Sequence, residues 1–130
     1  MTVVADTNVW ARALLNDDVD QSVKARRALA DARAIDGIFV PVLVMAELAW
    51  VLRSKWERTR VLTTLESLLH MRGVMVESPV LVGEAITATS AGNGGFTDEL
   101  IAQVGFANGA AEVITFDSKF ARNPRVKQLK

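Results

Sequence analysis

The sequence predicts an α/β fold, a three-layer α/β/α sandwich around a central, mainly parallel sheet. Short β-prone runs recur at residues 2–5, 38–40, 74–76 and 113–116, and segments of helical period separate each from the next. The runs are apolar without alternation, as in strands covered on both faces, and helical crossovers between such strands make a parallel sheet. At 130 residues the chain is expected to form one domain, 1–130.

Taken in order, the first strand (2–5) ends at Asp6. A helical pattern over 9–15 is broken by Asn16, Asp17 and Asp18, and an Ala- and Arg-rich amphipathic helix over 19–34 stops near Asp36 and Gly37. The second strand is 38–40, and Pro41 suits the first turn of a strongly apolar helix over 42–53. A helix over 57–71 places Leu62, Leu65, Leu68 and Leu69 at core spacing, with Gly73 as terminator. After the third strand (74–76), Pro79 begins a helix to about residue 90, and Gly92, Asn93, Gly94 and Gly95 form a loop. A helix over 97–108 is closed by Gly109. The fourth strand (113–116), a helical turn at 118–121 and an edge strand at 125–129 complete the chain.

Composition narrows the chemistry. Half the residues are apolar and 23% are charged, enough for a packed core. Fifteen Lys+Arg balance fifteen Asp+Glu, so any contact with nucleic acid must come from a local patch or through cations. No cysteine is present, which excludes disulfides, thiolate zinc sites, iron–sulfur clusters and cysteine nucleophiles. The single histidine, His70, excludes chemistry that needs a histidine pair within this chain; it reads as structural or as a helix C-cap. An acid already at position 6 with no basic stretch before it is unlike a signal peptide, and the nearly uncharged run 38–52 is short of a membrane span. The expectation is a soluble cytoplasmic domain with no membrane contact.

Four acids stand out. Asp6 follows the first strand and is followed by Thr7 and Asn8; all three can cap a helix, and three caps in a row leave one spare. Glu47 is the only charged residue between Asp36 and Arg53, and its neighbours at helical spacing are Leu43, Val44, Trp50 and Val51. That setting predicts a carboxylate on an unsolvated face, which needs a compensating cation or donor. Asp98 shares a helix face with the small residues Ala102 and Gly105, while Glu99 beside it reads simply as an acid complementing the helix N-terminus. Asp117 follows the fourth strand as Asp6 follows the first, and on its own reads as a cap for the next turn. In open parallel sheets ligands sit beyond the carboxyl ends of strands, which is where these acids fall. A like-charged pair at about 4 Å repels by roughly 4 kcal/mol at an effective dielectric of 20. A hard divalent cation such as Mg²⁺ or Mn²⁺ relieves such repulsion.

These residues resemble a known family. Val3-Val4-Ala5-Asp6-Thr7-Asn8, Ala46-Glu47-Leu48, Phe96-Thr97-Asp98-Glu99-Leu100-Ile101-Ala102 and Thr115-Phe116-Asp117-Ser118-Lys119-Phe120-Ala121 are similar to the four acidic motifs of PIN-domain nucleases. The closest likeness is to the VapC toxins of bacterial toxin–antitoxin pairs. The resemblance spans essentially the whole chain. It implies a Mg²⁺- or Mn²⁺-dependent endoribonuclease acting on tRNA or mRNA, a homodimer, and a small antitoxin partner through which alone DNA would be reached. It also implies that Asp6, Glu47, Asp98 and Asp117 form the acidic quartet, with Asp6 and Asp98 in direct contact with metal. Hydrolysis by a metal-activated water would leave a 5′-phosphate and a 3′-hydroxyl.

Around the quartet, Arg12, Lys119 and Arg122 are placed to hold phosphates or to be ordinary surface cations, and Thr7, Asn8 and Thr115 to hydrogen-bond a carboxylate. Trp50 is expected in the core, and Trp10 and Trp56 in a dimer or antitoxin groove. Other readings fit less well. A haloacid-dehalogenase-like phosphatase needs an acid where Asn8 stands, and a receiver domain needs a phosphoacceptor Asp after the third strand and a Lys after the fifth. A non-catalytic PIN scaffold that binds RNA or protein would have no use for four uncompensated carboxylates.

Overall fold

The computed structural model describes residues 2–130; Met1, the first residue of the expected domain, lies outside the described residues. The elements are α1 (Thr7–Leu15), α2 (Val19–Ile35), β1 (Ile38–Val40), α3 (Val42–Arg53), α4 (Arg58–Leu69), β2 (Val74–Val76), α5 (Pro79–Ser90), α6 (Phe96–Ala107), β3 (Val113–Thr115), a 3-10 turn η1 (Phe120–Arg122) and β4 (Val126–Gln128). This is the α/β class expected, with every strand pair parallel. The chain forms two compact units, one running to Pro79 and the other Val80–Lys130.

In the first unit, β1 pairs in parallel with β2 in the register Ile38↔Val74, Phe39↔Met75, Val40↔Val76. The expected first strand is reduced to one parallel bridge between Val3 and Ile38. Val3 donates to Gly37 O and accepts from Phe39 N, both at 2.9 Å. Asn16 ends α1 at φ 56°, a left-handed value that Asn tolerates well. Asp18 caps α2 by accepting from Gln21 N at 3.1 Å. Arg26 then ties α2 back to the end of α1 through Ala13 O and Asn16 Oδ1.

The first unit's core is built on α3 and α4. Met45, Leu48, Leu52 and Leu65 are wholly buried and Leu68 nearly so, each such side chain worth about 1.5–3 kcal/mol of burial. Glu77 caps the start of α3 by accepting from Val42 N at 2.8 Å. The helix expected to run to residue 71 with Gly73 as its terminator ends instead at Leu69 with His70 as C-cap, and Gly73 serves the turn into β2. Its φ is +81°, and a Cβ there would lie 2.7 Å from Arg33 O, so only glycine fits.

In the second unit, β3 pairs in parallel with β4 in the register Val113↔Val126, Ile114↔Lys127, Thr115↔Gln128. Ala102, Phe120 and Val126 form a buried cluster, with Phe106, Val113 and Ala121 packed against it. On α5 the buried positions are Val82, Ala85, Ile86 and Thr89. Among the described residues no helix is long and apolar enough to cross a membrane.

Candidate active site

In the first unit, Asp6 is the N-cap residue of α1, yet its side chain makes no capping bond. Its carboxylate is exposed. Thr7 is buried, and its hydroxyl donates to Glu47 Oε1 at 2.9 Å, joining α1 to α3. Thr7 thus takes the carboxylate-bonding role that its position suggested. Asp6, Thr7 and Glu47 line one cleft of about 410 Å³ together with Arg12, Ser54 and Lys55.

The setting of Glu47 corrects the expectation. Its face of α3 is solvated: Glu47 is exposed, and the flanking Leu43 and Trp50 are 69% and 79% exposed. The helix buries Val44, Met45, Leu48, Ala49 and Leu52 instead; the last four form an i, i+3, i+4, i+7 stripe that turns 43, 47 and 50 outward, and of the neighbours named for Glu47 only Val44 is buried. Trp50 is therefore not a core residue. Trp10, expected in a groove, is 3% exposed and sits in the core, where the buried stripe of α1 carries it.

In the second unit, Asp98 and Glu99 open α6 and Asp117 follows β3. Asp98's carboxyl is pushed above the ordinary value of 3.8, first by burial and then by the charge of Asp117; a hydrogen bond from the Gly95 backbone opposes both. Asp117 Oδ1 accepts from Lys119 N at 2.8 Å and Phe120 N at 3.4 Å, so the capping role read for it is real. Thr115 Oγ1 accepts from Asp117 N at 3.1 Å and shapes the same turn.

Glu99 is the residue that sequence reasoning missed. It is wholly buried, Oε1 accepting from Gly94 N and Oε2 from Asn123 Nδ2, each at 3.1 Å. It clamps the 92–95 loop to the segment after η1. The signal was present: Phe96 and Ala102, three residues to either side, are both buried. Gly94 belongs to this arrangement, because a Cβ there would lie 3.0 Å from Phe120 Cδ1 and 3.2 Å from Asp98 Cβ.

The cations divide. Arg12 Nη1 donates to both oxygens of Asp17, at 3.1 and 3.2 Å. Arg122 Nη1 reaches Gly92 O at 3.4 Å, and Lys119 is exposed. His70 is the exposed C-cap of α4 and meets Glu66 at 3.1 Å.

Within either unit, the described residues hold no group of three or more His, Cys, Asp or Glu side chains gathered as a metal site. Each unit does present two of the four candidate acids: Asp6 and Glu47 in one, Asp98 and Asp117 in the other. Carboxylate oxygens, one of them on a carboxyl raised by burial and by a neighbouring carboxylate, are donors that suit a hard divalent cation.

The model of the PIN domain family matches residues 3–126, and the chain belongs to that family. The PIN domain is a nuclease-type fold, typically metal-dependent and RNA-binding. No curated protein matches the chain significantly.

Proposed function

We propose that this chain is a Mg²⁺- or Mn²⁺-dependent endoribonuclease, and that it serves in the cytoplasm as the VapC-like toxin of a toxin–antitoxin pair. The nuclease reading is carried by the family match over residues 3–126, a span that includes all four candidate acids, with Asp98 raised by burial and by Asp117. The match runs through both compact units, which supports reading 1–130 as one functional domain. RNA, tRNA or mRNA, is the proposed substrate. A small antitoxin and a second copy of the chain are the proposed protein partners, with DNA reached only through the antitoxin.

Asp6, Glu47, Asp98 and Asp117 would hold the metal, Asp6 and Asp98 most directly. Bound there, the ion supplies charge neutralisation, a grip on the phosphodiester and activation of water. The chain's own part is orientation. Thr7 fixes one oxygen of Glu47 and leaves the other for a ligand. The Lys119 and Phe120 amides hold Asp117 Oδ1, so that Oδ2 could serve a ligand. Glu99 pins the Gly94 amide and so sets the loop that leads into Asp98. Such orientation of acidic donors by neighbouring hydrogen bonds is a general device of metal sites.

The test is to incubate wild type and Asp6→Asn with total RNA, with and without Mg²⁺ or Mn²⁺, and to map the cut ends. Wild type should cut only with metal and leave 5′-phosphate and 3′-hydroxyl termini; Asp6→Asn should not cut. Equal, metal-independent cutting by both, or 2′,3′-cyclic phosphate ends, would overturn the proposal. Growth arrest on expression, relieved by a short DNA-binding protein encoded beside the gene, tests the toxin role separately.

A further inference from the structure

The corner where α3 ends, the chain turns and α4 begins carries Arg53, Lys55, Arg58 and Arg60 within residues 53–60, against one acid, Glu57. That is a local charge of +3 in a chain whose formal net charge is zero. All four cations are exposed. The ion pairs among the described residues are Arg12–Asp17 and Glu66–His70, so none of the four is neutralised by them. Arg53 Nη1 donates to Trp56 O at 3.2 Å, and the Arg60 guanidinium lies 3.8 Å from the Trp56 ring centroid. These contacts fold two long side chains onto the turn and hold their charges in place before anything binds. The positive end of the α4 dipole falls at the same spot, since α4 begins at Arg58. Ser54 and Lys55 also line the cleft that holds Asp6 and Glu47, so the basic surface continues into the wall beside those acids.

We infer that the 53–60 turn is a docking surface for the phosphodiester backbone of an RNA strand led toward the Asp6–Glu47 cleft; this rests on the nuclease reading above. Charge complementarity selects the occupant. The turn presents guanidinium and ammonium groups and none of the large exposed apolar side chains. A repeating polyanion suits it, whereas a stable protein interface needs an apolar centre. A chain without overall basicity can hold RNA only through such a local patch or through bound cations.

The experiment measures binding of a short labelled single-stranded RNA to the full chain in EDTA, by fluorescence anisotropy over a range of salt. Wild type is compared with the double variant Lys55→Ala/Arg58→Ala and with Lys55→Glu alone. The substituted side chains are exposed and make no hydrogen bond or ion pair among the described residues, so melting temperatures should match wild type. The double variant should bind every sequence more weakly, and its slope of log K against log salt should be shallower by about 0.7 per cation removed. Unchanged affinity and slope in both variants overturn the proposal. So does a loss confined to an acidic protein or to phosphatidylserine vesicles, with RNA held as before. Cleavage separates the two readings. If wild type binds RNA through this turn but never cuts with Mg²⁺ or Mn²⁺, the nuclease reading fails and the docking surface stands. If wild type cuts and the variants bind and cut equally well, the docking surface alone fails.

Discussion

Glu99 Oε2 accepts the side-chain amide of Asn123 at 3.1 Å, and the same carboxylate, through Oε1, holds the Gly94 amide. Glu99 is wholly buried, so removing it leaves two donors without acceptors as well as a void. Glu99→Ala should cost about 3 kcal/mol in urea unfolding, in line with two buried donors left unsatisfied. Glu99→Gln keeps the acceptor for Gly94 but sets an amide against an amide at Asn123, and should cost about half as much. A loss below about 1 kcal/mol for Glu99→Ala would show that the clamp is not structural.

Gly94 fills a different need. Its Cβ would approach Phe120 Cδ1 to 3.0 Å and both Phe120 Cβ and Asp98 Cβ to 3.2 Å. Phe120 is part of the buried cluster and cannot swing away freely. Gly94→Ala should therefore destabilise by about 1–3 kcal/mol, as overpacking does. Under the nuclease reading, metal-dependent cleavage should fall further than stability alone explains, because Asp98 is one of the crowded neighbours. Gly95→Ala meets only Asp98 Oδ2 at 4.0 Å and should be the milder change. Parallel unfolding and cleavage measurements on the two variants check the contrast.

How far the sequence could be read is clearest in two glutamates. Strand and helix positions followed from period and punctuation: β1, β2, α3 and α5 have the bounds that apolar runs, Pro41, Gly73 and Pro79 indicate. Burial of an individual acid did not follow so simply. Around Glu47 the helix is apolar on every side, so periodicity could not tell inside from outside, and Leu43 and Trp50 proved to be exposed. Around Glu99 the same spacing argument, applied to Phe96 and Ala102, would have been right. A helix-face argument discriminates only where polar residues mark the opposite face. The Thr7–Glu47 and Glu99–Asn123 bonds span 40 and 24 residues, and no local pattern announces contacts of that kind.

Thr7 offers a clean separation of structure from chemistry. Its buried hydroxyl gives one hydrogen bond to a carboxylate that is itself exposed, so Thr7→Val should cost only about 1 kcal/mol in unfolding. Under the nuclease reading, the freed Glu47 side chain samples other rotamers and metal-dependent cleavage should drop about tenfold or more, as when a group orienting a metal ligand is lost. Thr7→Ser keeps the hydroxyl and should recover most of the activity. Equal activity in Thr7→Val and wild type would remove the positioning role.

Asp98 makes a prediction about pH whose sign is fixed by the direction of its shift. Burial and the Asp117 charge raise its folded-state value above 3.8, so the folded protein holds the proton more tightly than the unfolded chain. Between the two values the folded state binds more protons, and stability falls as pH rises through that window. The contribution is fully present below the unfolded value and is lost above the folded one. Without metal, Asp98→Asn should therefore be more stable than wild type at neutral pH, with the advantage shrinking as the pH is taken down toward 3.8. Asn at 98 still accepts the Gly95 amide, so that bond does not confound the comparison. Asp117→Asn should act the same way more weakly, because it removes the charge but leaves burial, the larger cause, in place. Urea unfolding of the three proteins across this pH range measures it. If Asp98→Asn is less stable than wild type at every pH, the Asp98 carboxylate is stabilised by its surroundings rather than strained by them. The case for a charge-compensating cation would then lose its physical ground.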